Sequence, residues 1–281
     1  MSAQPVVSVV VPTHDRAEYL AVTLDSLNAQ DIEAPYEVVV VDDGSVDQTP
    51  AVAHRAEAGY MRLERARGVN AARNEGARAA AADLIAFVDD DVYAPPGWLR
   101  ALVDGAQRHP DAEALGGPIR ARFEGPAPRS CGRELPPITT LDLGPEDREA
   151  ELVWSANMLA RRSAFARVGE FDESLPTGGD EEDWLRRLRA EGGKVIYVAA
   201  AGLDHRRAGD DARLRSLMRS AYFRGRNLRA YDERRGVQPP LSRELLTLAG
   251  CGWHTVRRGC PQGLVMGAHS AGRTIRAVRG R

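Results

Sequence analysis

Leu84-Ile85-Ala86-Phe87-Val88-Asp89-Asp90-Asp91 decides how this chain is read. Five apolar residues make a run of buried-strand length, and three carboxylates follow it without a spacer. Acids crowded at a strand exit repel one another unless positive charge sits among them. A hard divalent cation such as Mg²⁺ or Mn²⁺ can supply that charge, because such ions take oxygen ligands and commonly keep phosphates as further ligands. The triplet points to a metal–diphosphate site at the carboxyl edge of a sheet. Taken alone, it reads equally well as a polar turn of solvated acids.

Working outward, the same alternation recurs. Residues 6–11 are apolar and β-branched and stop at Pro12, and residues 36–41 form a second apolar run that ends in Asp42-Asp43-Gly44-Ser45. Residues 16–30 carry Leu20, Leu24 and Leu27 at helical spacing. Residues 49–58 and the alanine-rich 68–82 are also helical, and 60–63 form a short strand. This order predicts an α/β fold: a mostly parallel, Rossmann-like sheet flanked by helices on both faces. In such sheets ligands collect outside the carboxyl ends of the strands. Downstream, a proline opens a helix over 95–108, and a strand covers 113–122. Residues 123–149 form a long irregular loop that reads as a lid, and 152–161 are extended. A helix over 180–191 and a strand over 194–198 follow. The remaining segments, 213–232, 241–258 and 264–278, are helical. The expected organisation is a catalytic domain over 1–232 with a helical C-terminal extension over 233–281.

Composition narrows the function classes. The 281 residues carry a net charge of −2 and are 43% hydrophobic, so nothing in the charge calls for nucleic acid. Cys131, Cys251 and Cys260 do not make a disulfide framework, which fits a reducing compartment. The first residues lack the basic and apolar regions of a signal peptide, and no run approaches the ~18 apolar residues of a membrane span. A cytoplasmic protein is expected. Cys251, His254, Cys260 and His269 could each ligate zinc, but their spacing follows no finger pattern and reads as incidental.

Three strand exits carry polar groups: Thr13-His14-Asp15-Arg16, Asp42-Asp43-Gly44-Ser45 and Asp89-Asp90-Asp91. Parallel strands bring them to one edge, where they make a crevice suited to a nucleotide. No Gly-x-Gly-x-x-Gly follows the first strand, and no Gly-Lys-Ser/Thr loop is present. Dinucleotide redox chemistry and a P-loop are therefore disfavoured.

At this point the chain resembles a family 2 glycosyltransferase of the GT-A fold. The carrying segments are residues 7–13, 38–45 with Asp47, Ala72-Arg73-Asn74-Glu75-Gly76, and 87–91 with Pro95, Trp98 and Leu99. Further on come residues 157–162, Phe171-Asp172-Glu173, and 179–189 with Gly192. The resemblance covers about residues 6–230. It implies a nucleoside pocket lined by Thr13, Asp15, Asp43 and Arg73, with Pro12, Arg16, Asp42, Asn74 and Asp90 in the same nucleotide-binding set. It also implies that Asp89 lies near the ribose or base, and that Asp91 binds the Mn²⁺ or Mg²⁺ holding the diphosphate of a nucleoside diphosphate sugar. Asp42 and Asp47 are equally readable as turn and cap residues.

In Asp180-Glu181-Glu182-Asp183 the resemblance places the general base. Alignment through Arg187-Leu188-Arg189 puts Glu181 on that position, with Asp180 as the other candidate because the family's usual order of the two acids is exchanged. Simple dipole-favoured acids at a helix start are the competing reading. His205 is implied to lie near the metal or diphosphate. Arg206 and Arg207 could clamp phosphates, and Gly209-Asp210-Asp211 could let that segment move. Trp154, Ser155 and Asn157 are expected to face the acceptor, with core packing as the alternative for Trp154. The arginine-rich helix over 213–229 reads as packing with a solvated basic face, or as a contact with an anionic acceptor or membrane surface. The implied activity is metal-dependent, inverting sugar transfer to a small molecule or glycan. A sugar-phosphate nucleotidyltransferase and a silent nucleotide-sugar-binding protein are the rival readings.

Overall fold

The protein was analysed as a computed structural model that describes residues 4–125, 138–175 and 179–279. In chain order the elements begin β1 (Val7–Thr13), α1 (Ala17–Asn28), β2 (Tyr36–Asp42), α2 (Thr49–Arg55), β3 (Gly59–Arg62), α3 (Val69–Ala79), β4 (Leu84–Val88), β5 (Val92–Tyr93) and α4 (Trp98–Arg108). They continue with β6 (Ala112–Gly116), β7 (Ile119–Glu124), β8 (Arg148–Glu149), β9 (Asn157–Arg161), α5 (Arg162–Val168), α6 (Asp180–Ala190), β10 (Lys194–Tyr197) and β11 (Leu203–Ala208). A 3₁₀ turn over Gly209–Ala212 leads into α7 (Leu214–Arg234), α8 (Leu241–Arg258) and α9 (Gln262–Arg279). The chain divides into two compact units. The first holds residues 1–120, 140–174 and 180–205, and the second holds 121–139, 175–179 and 206–281.

In the first unit an eight-stranded sheet runs β3-β2-β1-β4-β9-β6-β10-β8. β1 pairs parallel with both β2 and β4, so the strand order reverses between β1 and β4. That reversal opens the crevice where such sheets bind ligands. The period-2 alternation of a strand sorts β1 between two cores. Val7, Val9 and Val11 point to one face with Leu20, Leu24 and Leu27 of α1. Val10 points to the other, with Ala71 and Ala72 of α3 and Trp184 of α6. Burying each of these large side chains contributes about 1.5–3 kcal/mol. α3 lies very close to the sheet: a Cβ added to Gly76 would sit 2.3 Å from a Val10 methyl carbon.

The sheet is mostly parallel as expected, with β9 running antiparallel between β4 and β6 and β8 antiparallel beside β10. Other expectations are corrected. The strand expected over 113–122 is two strands, broken at Gly117-Pro118. There the backbone runs so close to Ala201 that a Cβ on Gly117 would lie 2.0 Å from its carbonyl oxygen, and Pro118 supplies no N–H to a ladder. α5 and β11 were not anticipated. Much of the expected lid, residues 126–137, and with it Cys131, lies outside the described residues. The flanking chain is ordered by the Ile119–Leu141 bridge and by the pairing of β8 with β10.

The second unit is helical. α7 and α9 meet at glycines: a Cβ on Gly225 would lie 2.0 Å from the His269 carbonyl oxygen, and one on Gly272 would lie 2.1 Å from that of Tyr222. Ile138, Leu217, Ala221 and Val265 form its apolar centre. Ion pairs that alternate in sign run through it around the buried Arg229 and Glu244. Glu244 meets Arg229 at 3.5 Å and Arg273 at 2.9 Å, Asp232 meets Arg273 at 2.8 Å, and Glu233 meets Arg229 at 3.3 Å and Arg276 at 3.0 Å. Among the described residues no helix is long and apolar enough to cross a membrane.

Candidate active site

Strand register builds the site. β1 sets Val10 beside Phe87, so Thr13 comes level with Asp90, and its hydroxyl donates to that carboxylate at 2.7 Å. Arg16, at the start of α1, places one guanidinium nitrogen 2.8 Å from Asp90 Oδ1 and another 2.8 Å from Asp91 Oδ2. Asp90 and Asp91 are buried. Burial pushes the Asp90 carboxyl up to about 7; Arg16 opposes the shift and Asp91 adds to it.

β5 begins one residue after the triplet and pairs antiparallel with β11, with Val92 opposite His205. This short ladder carries a distant histidine to the acids: His205 Nε2 lies 3.0 Å from Asp91 Oδ1. Asp89, Asp91 and His205 each offer a ligand atom, all within 4.8 Å of one another. Two carboxylates and one imidazole fit a divalent cation such as Mn²⁺ or Mg²⁺.

Arg73 projects from α3 into the same cluster. Its Nη2 donates to Asp89 at 3.1 Å and its Nη1 to Asp180 at 2.6 Å. The sequence reading placed Arg73 in a nucleoside pocket; in the structure it ties the triplet to the second acidic cluster. That cluster is divided in two. Asp183 pairs with Arg186 and Arg187 on its own helix, as helix-start acids do, whereas Asp180 and Glu181 are buried. Ser155 Oγ donates to Glu181 Oε1 at 3.3 Å. Burial, then the neighbouring Asp180, raise the Glu181 pKa well above the ordinary glutamate value, with Arg73 acting in the opposite direction.

The other predicted residues occupy more structural settings. Both Asp43 oxygens accept backbone N–H groups, from Arg67 and Gly68, which pins the start of α3 to the second strand exit. Asp42 accepts from the Ser45 N–H and from Tyr60 Oη. Asp15 has a positive φ of 51°, and its carboxylate accepts from the Val46 N–H at 2.7 Å. Pro12 lies within β1, opposite Val41. Asn74 is engaged with both backbone groups of Phe171. Asn157 accepts from Trp98 Nε1 and donates to the carbonyls of Pro118 and Ala201, so it joins three segments. Trp154 is half-buried against the apolar core, beside Ser155. In the second unit, Arg206 donates to both oxygens of Glu124, and Arg207 donates to the Arg206 carbonyl. Sequence reasoning missed the bridging role of Arg73 and the β5–β11 ladder. The only sequence signal for the ladder is the pair of alternating residues that follows the triplet.

Comparison with known proteins places the chain in a family. The chain is 33% identical over 213 residues to a pre-mycofactocin glycosyltransferase of Mycobacterium tuberculosis, covering 71% of this chain and 43% of that protein. It is 29% identical over 216 residues to a glucosyl-dolichyl phosphate glucuronosyltransferase of Haloferax volcanii, covering 71% and 69%. It therefore spans less than half of the first relative and about two thirds of the second. A mannosyltransferase from Pyrobaculum calidifontis, solved with GDP-Man and Mn²⁺, shares the fold with a TM-score of 0.68 at 15% identity, over 100% of this chain and 89% of that one. A sequence profile of the family described as Glycosyl transferase family 2 matches residues 8–169, the stretch that contributes β1, the acid triplet and Arg73. On that match the chain belongs to glycosyl transferase family 2.

Proposed function

We propose that the protein transfers a sugar from a nucleoside diphosphate sugar to an acceptor hydroxyl, inverting the anomeric centre. One observation carries this reading: a single buried guanidinium, that of Arg73, touches both Asp89 of the cation-ligand group and Asp180 beside Glu181. The group that can hold a cation and the group that can take a proton thus share one site.

In this reading Asp89, Asp91 and His205 would hold a divalent cation, which supplies positive charge where the diphosphate departs. Arg16 keeps Asp90 and Asp91 fixed so that the ligand atoms are in place before substrate arrives. Glu181 accepts the proton of the attacking hydroxyl. Its raised pKa makes it a stronger base than an ordinary glutamate, and Ser155 orients one of its oxygens. A base on the face opposite the leaving group gives direct displacement, hence inversion. Arg73 holds Asp180 in place and moderates the charge beside Glu181.

The test is Glu181→Gln. A calorimetric panel of nucleoside diphosphates, with and without Mn²⁺, first identifies the base that binds. The variant is expected to bind that nucleotide as the parent does and to lose about 10²- to 10⁴-fold in transfer rate. Unchanged transfer would remove Glu181 from the chemistry.

A further inference from the structure

We propose that α8 is a membrane-surface helix whose exposed apolar face enters the interfacial layer of a bilayer rich in anionic lipid. Four large apolar side chains of this helix face solvent: Leu245 is 49% exposed, Leu246 73%, Trp253 65% and Val256 81%. With the exposed Ala249 they fall on one side of the helix, within an arc of about 100° at 3.6 residues per turn. The opposite side is the one that packs: Glu244 and Cys251 are buried. Apolar residues scattered singly over a surface need no explanation, but a continuous stripe containing tryptophan does.

Charge selects the occupant. The whole chain has a net charge of −2, yet residues 241–281 contain seven arginines and one acid. That acid, Glu244, is buried and paired with Arg229 and Arg273. The exposed surface of α8 therefore carries Arg243, Arg257 and Arg258 and no carboxylate. The Arg257 guanidinium lies over the Trp253 ring at 5.8 Å from its centroid, so cation and aromatic share the edge of the stripe. An apolar face with tryptophan, bordered by arginine, has the composition of helices that lie in the headgroup region. A second copy of the chain fits less well. An antiparallel two-fold contact through the stripe would set its Arg257 edges against one another with no carboxylate on the exposed surface of α8 to receive them. At 18 residues, with one polar side, α8 is suited to lying on a bilayer rather than crossing it.

The experiment is flotation of the full chain with phosphatidylcholine vesicles, with and without phosphatidylglycerol. Binding to the anionic vesicles is expected to exceed binding to neutral ones by at least ~10-fold, from two or three arginines near the surface, and to fall as salt rises. The triple variant Leu246→Gln/Trp253→Gln/Val256→Gln should lose that binding and keep the parent's melting temperature, since the three side chains are exposed. Trp253→Phe should still float but lose the blue shift of tryptophan emission that lipid produces in the parent. Three results would overturn the proposal: no flotation with anionic vesicles at low salt, equal flotation of the triple variant, or a concentration-dependent dimer that the triple variant abolishes in a chain that ignores vesicles. The last would assign the stripe to a second copy.

Discussion

Two buried charge networks in this protein look alike and behave differently. In the helical unit, the half-buried Glu233, Arg273 and Asp232 alternate in sign with the buried Arg229 and Glu244, and each charge has an opposite neighbour. At the sheet edge, Arg16 and Arg73 each lie between two acids, yet the Asp90 carboxyl is pushed up to about 7 and that of Glu181 is raised as well. There the arginines do not cancel the cost of burying carboxylates. An alternating network is complete and holds helices in place. Carboxylates held at raised pKa by burial are suited to receiving a cation or a proton, and perturbed acids grouped at a strand edge mark function with a physical reason.

Three substitutions can break or sharpen that contrast. The largest effect is expected from Asp91→Asn. It removes charge from the cation-ligand group, so Mn²⁺-dependent nucleoside diphosphate binding in calorimetry should disappear and transfer should fall about a thousandfold, the several kcal/mol that such charge supplies at a departing diphosphate. Retention of both would mean that the triplet is merely a polar turn. Next comes Glu244→Met in the alternating network. It takes one acid from Arg229 and from Arg273, which keep Glu233 and Asp232, and denaturant titration should show a loss of about 1–3 kcal/mol. Cation-dependent nucleotide binding per folded molecule should not move. If it falls by the same factor as in Asp91→Asn, the two networks are not separate in kind. The smallest effect is a displacement along the pH axis. In the proposed mechanism Glu181 acts as its carboxylate, so its raised pKa should put the acid limb of kcat/KM above the ordinary glutamate range. Asp180 contributes to that rise, so Asp180→Asn should lower the Glu181 pKa and carry the limb toward lower pH. A limb that stays put or moves up would separate Asp180 from Glu181.

Local sequence made part of this legible. Strand exits at Thr13, Asp42 and Asp89 could be read because each apolar run is followed at once by polar residues, and parallel pairing aligns such ends. Leu20, Leu24 and Leu27 declared the buried side of α1, and all three are inside. What stayed hidden depends on contacts between distant residues. β5 is two residues long and gains its meaning only from β11, more than a hundred positions later. Arg73 reads as a nucleoside-pocket residue on an alanine-rich helix, and its link between Asp89 and Asp180 shows only once the fold sets them on either side of it. Asn74 and Asn157 show the converse. Both sit in motifs that suggested ligand contacts, and both have amides occupied by the protein's own backbone.

The narrow gap beneath α3 has a last consequence. Gly76 lies one turn after Arg73, and the absence of a side chain there lets the helix sit nearly on Val10. A single methyl at position 76 would act as a shim under a lever. The valine is stiff and enclosed, so the helix would have to lift, and the guanidinium one turn away would be drawn off the carboxylates it joins. The reach of the site's linking arginine is thus gauged by a residue that touches no ligand.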